Sequence, residues 1–144
     1  MDGRVERIEV HPDGNRVLTI STEGIAFLWD STTGEVEARF VPIQPFGSFG
    51  MGVGIDFSPD GSLIALVRAQ REVWLYDTES AELVRRWHAH EEPIWDLTFT
   101  PDGRTLITAS SDDTLGVWDV ARINRLGVLT GRVTATVIAS HHRG

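Results

Sequence analysis

The sequence predicts an all-β fold in which one four-stranded antiparallel unit is repeated three times. Pro-Asp-Gly occurs at residues 12–14, 59–61 and 101–103, and an aromatic residue followed by aspartate stands 17 positions after each copy. Segments of strand length separate these signals, and no convincing helix is found. Because parallel strands need long crossovers and the connections here are short, neighbouring strands are expected to be antiparallel.

The third unit shows the plan of the repeat. Its strands are predicted at Ile94–Phe99, Thr105–Ala109, Thr114–Trp118 and Arg125–Leu129. Thr100-Pro101-Asp102-Gly103 joins the first two strands, because proline presets φ, aspartate can bond its own backbone and glycine accepts a positive φ. The unit is therefore predicted to be a four-stranded meander.

The first two units follow the same plan. Their strands are predicted near residues 4–10, 15–20, 24–29 and 35–40, and near 53–57, 62–67, 72–76 and 82–87. The tripeptide begins at residues 12, 59 and 101, so the units are 47 and then 42 residues apart. A period of about 40–45 residues that ends in Trp-Asp is typical of β-propeller blades.

These boundaries divide a single domain of 144 residues. Blade 1 is assigned to residues 4–40, blade 2 to 53–87 and blade 3 to 88–130. Residues 131–144 are assigned to an extra strand and a tail, because their beginning echoes the first strand of the first unit.

The connector at residues 41–52 is rich in glycine and proline and carries Phe46 and Phe49. It is either an elongated linker with its aromatic side chains against the blade edge, or an interaction loop on a rigid scaffold.

The composition excludes several kinds of chemistry. The net charge is −8, and the 13 cations are all arginines that are scattered along the chain, whereas nucleic-acid binding needs clustered cations. The absence of cysteine and lysine removes disulfides, thiolate catalysis, Cys-based zinc sites and Lys-based phosphate loops. No catalytic residue, metal site or cofactor is predicted. Without a long apolar run or a secretory signal, no membrane partner is expected and a cytoplasmic location is favoured.

The segments 90–103 and 105–119 resemble the two halves of a WD40 repeat, with Ala89 where the family usually has glycine. A buried hydrogen-bonded tetrad of His, Ser or Thr, Asp and Trp holds the blades of that family. Carried over by position, the resemblance implies a structural tetrad of His90, Thr108, Asp112 and Trp118, with Ser110 as the alternative hydroxyl.

The chemistry of this tetrad favours an architectural role. The indole N–H of a buried tryptophan must be satisfied, and a hydroxyl can accept from it and donate onward to histidine, which then donates to aspartate. Because the tryptophan belongs to the set, a hydrolytic triad is not expected.

The other two units depart from the family pattern. At the positions of the hydroxyl, the aspartate and the tryptophan, the first unit has Thr19, Glu23 and Trp29, and the second has Leu66, Gln70 and Tyr76. Neither unit has a histidine at the first position. We therefore expect the full network in blade 3 alone, and apolar packing in blades 1 and 2.

Three units are too few for a ring, because propellers close with about 4–8 blades. The chain is expected to form an incomplete ring with an apolar blade face at each end, and such faces favour association. A homodimer with six blades is preferred. The alternatives are a larger propeller to which this arc belongs and an arc completed by another protein.

The preferred functional hypothesis is a non-catalytic scaffold of the WD40 type that binds a protein or peptide. The candidate partner-binding residues are Trp95, Glu91, Glu92, Phe46, Phe49 and Arg71. A propeller enzyme with channel carboxylates is the second hypothesis, but Asp56 and Asp96 do not occupy matching positions in their units. A degraded remnant of a propeller is the third.

Overall fold

The computed structural model of the chain describes residues 4–40, 54–122 and 124–130. These segments contain strands and turns but no helix, and hence none that could cross a membrane. The strands are β1 (Val5–Val10), β2 (Arg16–Ser21), β3 (Ala26–Asp30), β4 (Val36–Phe40), β5 (Ile55–Phe57), β6 (Leu63–Arg68), β7 (Glu72–Asp77), β8 (Leu83–His88), β9 (Ile94–Phe99), β10 (Thr105–Ser110), β11 (Thr114–Asp119) and β12 (Asn124–Thr130).

The strands form three four-stranded antiparallel sheets, which we call blades 1, 2 and 3. Blade 1 contains β1 to β4, blade 2 contains β5 to β8 and blade 3 contains β9 to β12, each in chain order across the sheet. The all-β fold of four-stranded blades is thereby confirmed, and the described blades form an open arc. The connector at 41–52, with Phe46 and Phe49, and the extra strand predicted within 131–144 lie outside the described residues.

The Pro-Asp-Gly tripeptides form the turns between the first two strands of each blade. In blade 2 the Gly61 N–H donates to the Ser58 carbonyl at 2.8 Å, and the Asp60 carboxylate accepts from the Ser62 N–H at 2.9 Å. Gly61 has a φ of +79°, which glycine adopts without strain. The turn chemistry expected from the sequence is confirmed.

Two apolar cores lie between successive blades. Alternate residues of a strand point to opposite faces, so β6 sends Ile64 and Leu66 toward blade 1 and Ala65 and Val67 toward blade 3. The first core also contains Leu18, Ile20, Leu28, Phe40, Ile55, Phe57, Trp74 and Tyr76. The second also contains Val73, Leu75, Ile94, Leu97, Phe99, Leu106 and Trp118. Blade 2 is therefore covered on both faces.

Blade 1 has an outward face that no described blade covers. Ile8 and Val10 are 59% and 60% exposed on β1, and their strand partners on this face are Thr19 and Val17. Val36 is also exposed and pairs with Trp29 on the same face. The blade 2 equivalents of Ile8 and Val10, which are Ile55 and Phe57, lie in the first core. The open apolar face expected at the start of the arc is thus present.

A histidine joins blades 1 and 2 at the turn end of the sheets. The buried His11 lies with its Nε2 3.0 Å from the Gly61 carbonyl oxygen and its Nδ1 3.1 Å from the Asp13 backbone nitrogen. The Asp13 carboxylate lies 2.9 Å from the same Nδ1. A Cβ on Gly61 would lie 2.3 Å from Nε2, so the imidazole fits here only against glycine.

Candidate functional site

Four side chains of blade 3 form one continuous chain of hydrogen bonds. The Trp118 indole donates to the Thr108 hydroxyl at 3.0 Å, and Thr108 Oγ1 lies 2.7 Å from His90 Nε2. His90 Nδ1 lies 3.1 Å from Asp112 Oδ2. With the proton on Nδ1, Thr108 donates to His90 and His90 donates to Asp112, so every donor in the chain has an acceptor.

The chain of bonds connects three parts of blade 3. Trp118 and Thr108 lie on β11 and β10, His90 lies in the loop before β9, and Asp112 lies in the turn between β10 and β11. His90 and Thr108 are fully buried, so the hydroxyl is out of reach of a substrate. The alternative hydroxyl, Ser110, instead donates to the Glu92 carbonyl at 3.1 Å and accepts from the Asp112 N–H.

Sequence reasoning missed two further members of this network. The Thr114 hydroxyl donates to Asp112 and lies 3.3 Å from His90 Nδ1. Burial raises the pKa of Asp112, but the hydrogen bonds from Thr114 and His90 outweigh it and hold that pKa below its usual range. Gly116 lies opposite Thr108 on β11, and a Cβ there would stand 2.7 Å from both Thr108 Oγ1 and Trp118 Nε1.

Blades 1 and 2 contain less of this network. In blade 1 the Trp29 indole donates to the Thr19 hydroxyl at 2.9 Å. In blade 2 Leu66 and Tyr76 occupy the corresponding positions and pack in the first core. The residue opposite Leu66 is Trp74, whose indole donates to Glu72 at 2.8 Å. Apolar and aromatic packing thus replaces the hydrogen bonds where the motif is weakest.

The His90 loop is anchored on both sides by backbone hydrogen bonds. The carbonyl of Arg71, in the turn between β6 and β7, accepts from the Ala89 N–H at 2.9 Å. The Ser111 N–H, in the turn between β10 and β11, donates to the Pro93 carbonyl at 2.9 Å. The loop and these two turns therefore form one continuous surface, which we call the loop surface (residues 69–71, 89–95 and 110–113).

Trp95 projects from the loop surface on a β-bulge. Ile94 pairs with Ser110 and Asp96 pairs with Ala109, so Trp95 has no partner on β10. A bulge commonly redirects a side chain, and the Trp95 indole is 48% exposed although both Ile94 and Leu97 are buried. The spacing of Ile94, Leu97 and Phe99, which departs from strict alternation, is consistent with this bulge.

The remaining described candidates lie on the same surface. Arg71, Glu91 and Glu92 are exposed, and Glu91 Oε2 lies 3.3 Å from Nε2 of the exposed His88. Ala69, Gln70 and Asp113 have φ values of +52°, +67° and +69°. Residues other than glycine are strained there, and such strain is concentrated at functional sites.

The carboxylates of the inner strands are engaged in structural contacts. Asp96 accepts from Arg7 Nη1 at 2.7 Å, which joins blade 3 to blade 1, and Gly54 holds the equivalent position in blade 2. Asp56 accepts from the Phe99 N–H at 2.9 Å. Burial and the nearby charge of Glu9 raise the pKa of Asp56, although the Phe99 N–H opposes this. Within the described segments, no three such groups are arranged as a metal site.

Comparisons with known proteins agree with this geometry. The model of the WD domain, G-beta repeat (WD40), matches residues 81–119, which include the whole tetrad. The WD40 repeats of RRP9 superpose with a TM-score of 0.81 at 18% identity, covering 91% of this chain and 40% of that one. The structure of U3-55K superposes with a TM-score of 0.80 at 17% identity and the same coverage.

Two curated relatives are similar over shorter parts of much longer proteins. U3 small nucleolar RNA-associated protein 12 of Saccharomyces cerevisiae is 30% identical over 131 residues, which are 90% of this chain and 13% of that protein. The Denticleless protein homolog of Gallus gallus is 32% identical over 96 residues, which are 63% of this chain and 13% of that protein. The repeat match, the blade fold and the tetrad together identify the chain as a member of the WD40-repeat β-propeller family.

Proposed function

We propose that this chain is a protein-interaction scaffold that binds a protein or peptide partner at the loop surface. The exposed Trp95 carries the proposal, because a half-exposed tryptophan on a firmly held bulge offers a large apolar contact at little cost in conformational entropy. The tetrad fixes the loop beside it, so the surface is preorganised for binding.

The charges around Trp95 favour a partner with a basic segment. Glu91 and Glu92 are exposed beside it, and the chain as a whole has a net charge of −8. Charges of this kind increase the association rate and the specificity more than the affinity. The exposed Arg71 on the neighbouring turn offers a place for an acidic group of the same partner.

A non-catalytic role is part of this proposal. The Thr108 hydroxyl is buried within the tetrad, and the carboxylates of Asp56 and Asp96 are occupied by Phe99 N–H and Arg7. The relatives named as an RNA-associated protein and a Denticleless homolog carry no enzyme name. We further propose that the open blade faces are covered in the working assembly, by a second copy or by further blades.

Replacement of Trp95 tests the scaffold proposal. We expect Trp95→Ala to weaken capture of a binding partner by about tenfold or more, which is the loss of a typical hot-spot residue. The matched control is Val84→Ala, which removes a similarly exposed apolar side chain from β8, away from the loop surface. Equal capture by Trp95→Ala and the unaltered chain would show that binding, if any, occurs elsewhere.

A further inference from the structure

A cleft of about 340 Å³ lies between the Pro-Asp-Gly turns of blades 2 and 3. Its walls include Ser58, Pro59 and Asp60 from blade 2, and Asp102 and Gly103 from blade 3. The cleft is at the end of the inner strand opposite Trp95, since β9 begins beside Trp95 and ends just before this turn. It is therefore separate from the loop surface and independent of the function proposed there.

The junction between blades 1 and 2 shows what fills the equivalent space. There the imidazole of His11 lies between the Asp13 carboxylate of its own blade and the Gly61 carbonyl of the next blade. It also packs edge-on against Phe57, with a centroid distance of 4.9 Å. The chain itself thus contains a histidine side chain bound in this kind of junction.

The junction between blades 2 and 3 has the corresponding aspartate and glycine without the imidazole, and Pro59 and Pro101 line it in addition. Ser58 stands at the position of His11, immediately before the tripeptide. Its hydroxyl donates to Asp60 at 2.8 Å and accepts from the Leu63 N–H at 3.0 Å, so the side chain folds back into its own turn. Gly103 matches Gly61 with a φ of +74°, and the Pro59 ring borders it, since a Cβ there would stand 3.4 Å from Pro59 Cδ.

The charges of this cleft suit a cation. The hydrogen bonds that Asp60 accepts from Ser62 and Ser58 hold the pKa of Asp60 below its usual range. The hydrogen bonds from the Arg104 N–H and the Thr100 hydroxyl lower the pKa of Asp102 in the same way. Both carboxylates are therefore ionised at neutral pH. No described residue donates a hydrogen bond to the Gly103 carbonyl.

We propose that the cleft between the turns of blades 2 and 3 binds the imidazole side chain of a histidine from a partner protein. One ring nitrogen donates to the Gly103 carbonyl and the other pairs with the Asp60 carboxylate, as His11 does with Gly61 and Asp13. The ring occupies the space that Ser58 leaves open. The arc then has two partner sites at opposite ends of its inner strands, namely the loop surface and this cleft.

Titration of the isotope-labelled full chain with N-acetyl-histidinamide tests this site. We expect saturable NMR shifts of the Gly103 and Asp60 amides, and none with N-acetyl-alaninamide at the same concentrations. Ser58→His supplies the imidazole from the chain itself and should abolish these shifts. Val36→His is the control, because it adds an imidazole at an exposed position of blade 1 that does not line this cleft, and it should retain the shifts.

Asp60→Asn gives a second measurement that keeps the turn. The asparagine oxygen can still accept from the Ser62 N–H, but the charge-assisted bond to the ligand is lost, so binding of the histidine probe should weaken about tenfold. Shifts that are equal with the alanine probe, or that persist unchanged in Ser58→His or Asp60→Asn, would overturn the proposal.

Discussion

At the scale of the residue, a single oxygen atom joins the two halves of the tetrad. Thr108 Oγ1 accepts from the Trp118 indole at 3.0 Å and donates to His90 at 2.7 Å, and it is fully buried. Loss of that oxygen would remove one hydrogen bond from each of two buried side chains. In blade 1 the corresponding hydroxyl of Thr19 accepts from the half-buried Trp29, and no other described side chain bonds it.

Thr108→Val should therefore destabilise the chain more than Thr19→Val. Valine has nearly the same shape, so the loss comes from the hydrogen bonds that are removed, two for Thr108 and one for Thr19, each of which contributes about 0.5–1.5 kcal/mol. The free energy of unfolding, measured in urea for both variants, checks this. Equal losses would mean that the complete network of blade 3 contributes no more than the single hydrogen bond of blade 1.

Asp112 makes the stability depend on pH in a defined direction. Hydrogen bonds from Thr114 and His90 keep its pKa in the folded chain below that of an unfolded aspartate, which is about 3.9. Its contribution is therefore fully present above that value and is lost as the pH falls through the lower, folded pKa. Asp112→Asn should be less stable at neutral pH, and its stability should fall less on acidification.

Denaturant unfolding at a series of acidic pH values compares the two proteins. The other aspartates with lowered pKa, such as Asp60 and Asp102, are common to both and cancel in the difference. If the difference in stability between Asp112→Asn and the unaltered chain stayed constant with pH, the ionised form of Asp112 would have no special role.

At the scale of the element, one position on the third strand of each blade differs together with how much of the hydrogen-bonded network that blade contains. Gly116 faces Thr108 on β10, whereas Phe27 and Trp74 occupy the equivalent positions opposite Thr19 and Leu66. In blade 3 a Cβ at this position would crowd both the tryptophan and the hydroxyl, whereas in blade 1 Trp29 bonds Thr19 with Phe27 opposite. The blade with the smallest residue at this position is the one with the full network.

Gly116→Ala should disturb the tetrad directly. Its Cβ would stand 2.7 Å from Trp118 Nε1, and overpacking of this kind costs about 1–3 kcal/mol. We expect the NMR signal of the Trp118 indole proton to be displaced and the free energy of unfolding to be lower. Gly34→Ala is the control, because its φ of +80° is strained but no atom lies within 4 Å. An unmoved indole signal in Gly116→Ala would contradict the prediction.

Local signals in the sequence predicted the elements, and contacts between distant elements explain what was missed. Proline, aspartate and glycine specify each turn by their own backbone preferences, and the motif places His90, Thr108, Asp112 and Trp118 by spacing alone. The roles of Gly116 and His11 depend on strand register and on the neighbouring blade, whereas Thr114 contacts Asp112 within one turn. The side-chain pattern of Ile94 and Leu97 indicates a register change, but the exposure of Trp95 depends on how the bulge is packed.

At the scale of the whole molecule, the outward face of blade 1 predicts association. If a second copy covers that face, the chain should sediment at twice its mass of 16.0 kDa, and Ile8→Glu combined with Val10→Glu should return it to that mass. Both side chains are exposed, so the fold should tolerate the change. Leu83→Glu on β8 is the exposed control and should leave the assembly intact.

Sedimentation at micromolar concentration distinguishes self-association from coverage of the face by further blades or by another protein. A clean monomer of the unaltered chain would rule out self-association and leave further blades, or another protein, to cover the face. The apolar area involved is of the kind that marks interaction surfaces in proteins.

The ion pair between Arg7 and Asp96 couples blades that are not adjacent. Repeat proteins usually couple only nearest neighbours, so their parts can unfold or be exchanged one at a time. Here the first and third blades meet across a second blade that has only the hydrogen of Gly54 at that level. Loss of blade 2, or insertion of a further repeat beside it, would therefore break a contact that its two neighbours make with each other.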